Sequence, residues 1–222
     1  MIAEEMRTTD KPADLSEAQG KTLDHIKFCI TKAIIPFKNA RMKSNIEKRL
    51  NEIKLTQIFV EQIGYQLNAF TGIAVNSGYS DLFYGTKGIP DFYFYILEEG
   101  KTNLPLFIVE SKRLPTPGNK KLREKEYVFG NRKGGIERYK KEIHGRKLNE
   151  CGMIGFIEKY NSSYWLNIIN LWIQDLSRSN PEWNSDEKLT MKVDTIDYSY
   201  LVSIAHREKS SKDVLLHHWW II

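Results

Sequence analysis

Gly88-Ile-Pro-Asp91, Phe92-Tyr-Phe-Tyr-Ile-Leu97, Glu98-Glu-Gly-Lys-Thr-Asn103, Leu104-Pro-Leu-Phe-Ile-Val109 and Glu110-Ser-Lys112 follow one another without a gap, and their reading decides the fold. The first apolar run is aromatic and β-branched. The second is aliphatic, with its proline near the start, where a strand tolerates one. The polar stretch between them carries a glycine and reads as a turn. Together they predict an antiparallel hairpin. Folded symmetrically about Gly100-Lys101, it sets Asp91 opposite Glu110, and directly opposed residues share a face with Cβ atoms roughly 5 Å apart. Lys112, two residues further on, points to the same face. Two carboxylates and an ammonium are expected to converge at one end of an otherwise apolar hairpin.

That convergence calls for a chemical reason, because ionising two adjacent carboxylates is costly unless a cation stands between them. Mg²⁺ suits the place: it accepts one or two carboxylates together with water and substrate phosphate. A lysine beside it can orient or deprotonate a water, or stabilise charge growing on a phosphate. The plainer alternative is a surface hairpin with an ordinary Glu–Lys pair. The Gly88–Asp91 lead-in and the apolar run into Glu110 count against it.

Gly-Ile-Pro-Asp, a hairpin, and then Ile108-Val-Glu-Ser-Lys112 resembles the PD-(D/E)xK nuclease superfamily, whose fold is restriction-endonuclease-like. The resemblance covers about residues 44–158. It implies an α/β fold with a central mixed β-sheet flanked by helices, and Mg²⁺-dependent hydrolysis of phosphodiesters, with Mn²⁺ as a substitute. Asp91 and Glu110 would be the metal ligands, the Ser111 carbonyl a backbone ligand and Lys112 the catalytic lysine. Many members place a further acidic residue on a helix before the Pro-Asp strand. Glu47, Glu52 and Glu61 are the candidates here. Glu47 is expected to be occupied in capping, and Asn51-Glu-Ile-Lys-Leu-Thr-Gln-Ile-Phe-Val60 resembles the form this helix takes, so Glu52 is the choice. A solvated glutamate is the alternative.

At 222 residues, with 41% hydrophobic and 27% charged side chains, the chain reads as a soluble globular protein of one domain. Residues 1–14 are expected to be a loose end and 15–222 a nuclease-like unit. Its apolar runs are too short to span a membrane, and Met1–Thr8 lacks the layout of a signal peptide. Cys29 and Cys151 sit in separate apolar contexts, as small buried hydrophobes do. All of this suits a reducing cytoplasm. The net charge of +5 is unevenly placed: residues 112–147 hold thirteen basic and four acidic side chains. Such a block, starting at Lys112, is expected to offer a phosphate-binding surface; solvated loops and helix faces are the alternative. Within it Arg113, Arg138, Lys140 and Lys141 are the candidates for holding a nucleic-acid backbone.

Apolar spacing at Leu23, Ile26, Ile30 and Ile34 predicts a helix over 15–37, ended by Pro36. Ser44-Asn-Ile-Glu47 reads as a capping box opening a second helix towards Leu67, with a break near Leu55-Thr56. Gly72–Val75 is a predicted strand. The turn-rich loop 76–88, with Tyr79 and Tyr84, would either touch nucleic acid or merely connect. Leu114-Pro-Thr-Pro-Gly118 breaks the chain, and the stretch to Arg132 is the candidate mobile loop over the substrate. A helix is predicted after Gly134-Gly135, with Ile136, Tyr139 and Ile143 towards the core, Arg138 the favoured inward cation, and an N-terminus that favours phosphate. Cys151–Ile157 reads as a buried strand, 164–178 as a helix, and 198–205 and 214–222 as strands. His206, Arg207 and His217 would support the site or bind phosphate or, more simply, mark the margin of a sheet-extending hairpin.

The leading expectation is a Mg²⁺-dependent deoxyribonuclease of bacterial or phage DNA processing, restriction or antiphage defence, with DNA as partner and a homodimer or larger complex left open. The alternative is a nucleic-acid-binding module without activity. A third reading, a protein-interaction subunit, would present the tryptophans to a partner. No glycine-rich nucleotide loop appears, so neither ATP nor NAD is expected.

Overall fold

The computed structural model describes residues 12–43, 50–67, 72–81, 85–86, 88–100, 102–118, 123–130, 134–207, 209–210 and 212–222. The predicted hairpin is present. β2 (Phe92–Ile96) and β3 (Pro105–Leu114) are antiparallel, with Phe92 opposite Val109, Tyr93 opposite Ile108 and Phe94 opposite Phe107. Beyond Phe94 the register shifts and Tyr95 faces Pro105. Proline has no N–H to give the ladder, so the pairing breaks there. β1 (Ile73–Ser77) pairs with the other edge of β2. β4 (Glu150–Ile157) joins β3 in parallel, and β7 (Val214–Ile221) joins β4 in parallel. β6 (Tyr198–Ala205) and β5 (Thr190–Asp194) follow antiparallel. The result is one seven-stranded mixed sheet in the order β1-β2-β3-β4-β7-β6-β5. β5 escapes a sequence reading because nearly all of its residues are exposed and leave no apolar alternation.

Helices cover both faces, so the molecule is α/β. α1 (Pro12–Lys32), α2 (Ile34–Lys43) and α3 (Glu52–Leu67) lie on one face. Their Ile26, Ile30, Phe37, Phe59 and Ile63 pack on Phe92, Phe94, Phe107, Val109, Phe156 and Trp219. On the other face, α4 (Gly135–Lys140) and α5 (Ser162–Ser179) bring Ile136, Tyr139, Trp165 and Ile169 onto Tyr93, Ile108, Met153 and Trp220. All five tryptophans are buried, which places them in the core rather than on a partner-binding surface. Cys29 and Cys151 are buried free thiols.

Several boundaries differ from those expected. α1 begins at Pro12, ahead of Leu15. Pro36 does not end a helix but sits in the first turn of α2. It has no N–H to donate, so the hydrogen-bond ladder breaks and restarts around Ala33, where proline is tolerated. α3 opens at Asn51, whose Oδ1 accepts the Lys54 N–H at 2.9 Å, and it runs unbroken through Leu55 and Thr56. Residues 44–49, the expected capping box with Glu47, lie outside the described residues. The C-terminal hairpin does extend the sheet, but β7 enters its middle. His217 and His218 are therefore buried among neighbours rather than marginal. Among the described residues no helix is long and apolar enough to cross a membrane.

Candidate functional site

Strand alternation aims the site. On β3, Phe107 and Val109 face the α1–α3 side, while Ile108 and Leu114 face the α4–α5 side. Glu110 and Lys112 share that second face by the two-residue period. Asp91 directly precedes β2 and continues the register that pairs Phe92 with Val109, so it faces Glu110 across the hairpin as the sequence predicts. Gly88 explains the lead-in. A Cβ there would stand 2.5 Å from the Ile143 side chain and 2.8 Å from the His144 ring. Only glycine lets the chain approach the 143–144 turn closely enough to deliver Pro90-Asp91 to the strand.

The groups converge through hydrogen bonds. Lys112 Nζ donates to Glu110 Oε1 at 2.7 Å, to the Ser111 carbonyl at 2.9 Å and to Glu52 Oε1 at 3.4 Å. Glu52, at the start of α3, also accepts the Arg113 backbone N–H at 3.2 Å. The Ser111 N–H donates to Asp91 Oδ2 at 2.6 Å. Arg138 Nη1 donates to Glu110 Oε1 at 2.7 Å and approaches His144 Nε2 at 3.1 Å. Since arginine only donates, His144 Nε2 accepts. Its ring is therefore neutral, and lone pair faces lone pair across the 3.5 Å to Glu110 Oε2. That carboxylate oxygen is buried and has no hydrogen-bond partner.

The electrostatics follow from burial and charge. Burial, then the Glu110 carboxylate, pushes Asp91 up to about 7, against the pull of Lys112 and the Ser111 N–H. Burial works against ionised Glu110 too, but Lys112 and Arg138 hold it below the ordinary carboxylate value. Burial also opposes the charge on Lys112, yet Glu110, Glu52 and Asp91 together keep it protonated well into the alkaline range. His144 is lowered to about 4 by burial, with Arg138 and Lys112 adding to it against Glu110.

These features bear on a metal. Among the described residues no group of three or more His, Cys, Asp or Glu side chains is gathered as a ready cation cage. The expected ligand set needs only two carboxylates and a carbonyl, with water completing it. The carboxylates fit. Glu110 has a buried oxygen without a donor, and burial with the Glu110 charge opposes ionisation of Asp91, which a cation between the two would favour. The Ser111 carbonyl accepts from the Lys112 ammonium at 2.9 Å and has a second lone pair.

The predicted backbone-binding cations separate. Arg138 points into the site, as favoured. Arg113 does not face outward: alternation turns it to the opposite face from Lys112, where Nε and Nη2 both meet the Glu158 carboxylate at 2.6 Å. Lys140 is buried, bonded to Glu187 and to the His206 carbonyl, and lies over the Trp183 ring. Lys141 pairs with Glu137 at 3.0 Å and Glu182 at 3.7 Å. The α4 N-terminus is not open to phosphate either. The N–H groups of Gly135, Ile136 and Glu137 donate to the carbonyls of Glu126, Tyr127 and Val128. The same docking buries Tyr127 and Val128, so this part of the expected mobile loop is anchored; residues 119–122 and 131–133 lie outside the described residues.

Tyr79 is buried against Tyr93 and belongs to a connector; Tyr84 lies outside the described residues. Arg207 donates to the Gly145 and Leu148 carbonyls. His217 lies between Tyr200 and Glu150, and His206 between Asp186 and Asp213. His144 is the site member that the sequence does not reveal, since no spacing links it to Glu110. Compared with protein-family models, curated proteins and solved structures, the chain matches none.

Proposed function

We propose that this chain is a Mg²⁺-dependent nuclease that hydrolyses DNA phosphodiesters, built on a restriction-endonuclease-like variant of the α/β sheet. One observation carries the reading. Glu52, Asp91 and Glu110 surround Lys112 at one end of β3, with Glu110 Oε2 buried without a hydrogen-bond partner and Asp91 held up to about 7 by burial and the Glu110 charge. Asp91 and Glu110 would hold the cation. When bound, it would supply Lewis-acid polarisation of a phosphate oxygen and a more acidic water. Lys112 enters charged, so its part is to orient the attacking water and stabilise negative charge growing on the phosphate, rather than to take a proton. Glu52 keeps that ammonium aimed from α3. Arg138 fixes one Glu110 oxygen and leaves the other for the cation. A place in bacterial or phage DNA processing, restriction or antiphage defence goes with this reading by association only.

The test is cleavage of supercoiled plasmid and of linear single strands with Mg²⁺, Mn²⁺ or EDTA. Metal-dependent cutting is expected, reduced about 100-fold or more in Asp91→Ala and in Lys112→Ala. Cutting that persists undiminished in Asp91→Ala would overturn the assignment. Retention of DNA without any cutting would favour a binding module.

A further inference from the structure

Beside Asp91 a cleft of about 240 Å³ opens between the first two turns of α3 and the β1–β2 edge. Ile53, Thr56, Gln57, Ser77 and Asp91 line it. Ile53 is 76% exposed and brings an apolar side chain to the cleft. Thr56 is only 5% exposed, and its buried hydroxyl has no hydrogen-bond partner. A hydroxyl taken from water without compensation costs free energy, so a partner from outside the chain is the natural completion. Gln57 and Ser77 add an exposed amide and hydroxyl.

We infer that this cleft receives a single unstacked nucleoside next to the bond that is cut, so that the substrate strand is single-stranded or locally opened there. The inference rests on the nuclease reading and names its substrate class. The cleft has room for one flat nucleobase. The wall chemistry matches one base: an apolar side chain for the ring face, with hydroxyls and an amide for its polar edge. Asp91, itself part of the cleft lining, puts that base immediately beside the phosphate in the reaction. Thr56 and Ile53 are substrate-contacting residues in this arrangement.

The experiment uses one oligonucleotide sequence in three forms: single strand, perfect duplex, and single strand with one abasic position stepped along the cutting site. Wild type, Thr56→Val and Ile53→Ala are compared with Asp91→Ala as the inactive control. Wild type is expected to cut the single strand at least about tenfold faster than the duplex, in kcat/KM. One abasic position is expected to lower kcat/KM sharply. Thr56→Val keeps the shape but loses the hydroxyl. It is expected to lower kcat/KM on the intact strand about fivefold, the size of one neutral hydrogen bond, and to blunt the abasic effect. Its melting temperature should be unchanged or raised, because an unsatisfied hydroxyl is removed. Duplex cut as fast as single strand, or an abasic penalty untouched by Thr56→Val and Ile53→Ala, would overturn the subsite and leave the nuclease standing. No Asp91-dependent cutting of any form would overturn both.

Discussion

Asp91 keeps its proton in the folded chain up to about pH 7 because burial and the Glu110 charge oppose its ionisation. In the unfolded chain an aspartate loses that proton near pH 4. Between these values the folded state binds more protons, so this residue makes stability fall as pH rises. Asp91→Asn removes the liability. Its melting temperature without metal is expected to exceed wild type by several degrees at pH 8, with the gap closing below pH 5; thermal unfolding across pH in EDTA checks this. Asp91, Glu110 and Lys112 were legible in the sequence because period-two alternation and a symmetric turn fix their shared face. Arg138 was favoured only as one of several charged residues on its helix, and His144 was not legible at all. His144 approaches Glu110 through a turn after the six-residue α4 that passes through a left-handed Glu142 at φ 53°, a path no sequence period encodes.

At the level of elements, α3 links stability to chemistry. Asn51 caps it through the Lys54 N–H, and the next residue is Glu52, which reaches Lys112 and the Arg113 N–H. Asn51→Ala is expected to cost about 1 kcal/mol, a fall of about 2–4 °C in melting temperature, and to reduce cleavage by loosening Glu52. Asn51→Ser should restore both; calorimetry and a cleavage assay read the two effects separately. The helix itself was visible from its apolar stripe, but its start was misplaced. A capping-box pattern at Ser44 and a lone Asn51 compete on local chemistry, and the sequence alone favours the fuller pattern. The basic block misled for a similar reason. Charge counts along the chain do not show which lysines turn inward, and Lys140 turns into the core to meet Glu187.

For the whole molecule, the decisive arrangement is β7 between β4 and β6. Trp219 and Trp220 on this strand are fully buried, one on each face of the sheet. The sequence shows strands and helices in order but not this insertion, because both edges of a hairpin look alike until a partner is chosen. Deleting residues 212–222 should therefore abolish a cooperative melting transition and expose dye-binding apolar surface, although Glu52, Asp91, Glu110, Lys112 and Arg138 all remain in the chain. The insertion also bears on how the chain reaches its fold. Glu150 meets Leu215 across the span that holds α5, β5 and β6, and pairings so remote in sequence form slowly. Until β7 docks, β4 is a bare edge, buried and apolar along nearly its whole length in the finished fold, and such an edge is a template for another chain. Recovery from denaturant should accordingly depend on dilution: at high concentration, intermolecular pairing at β4 competes with the strand that belongs there.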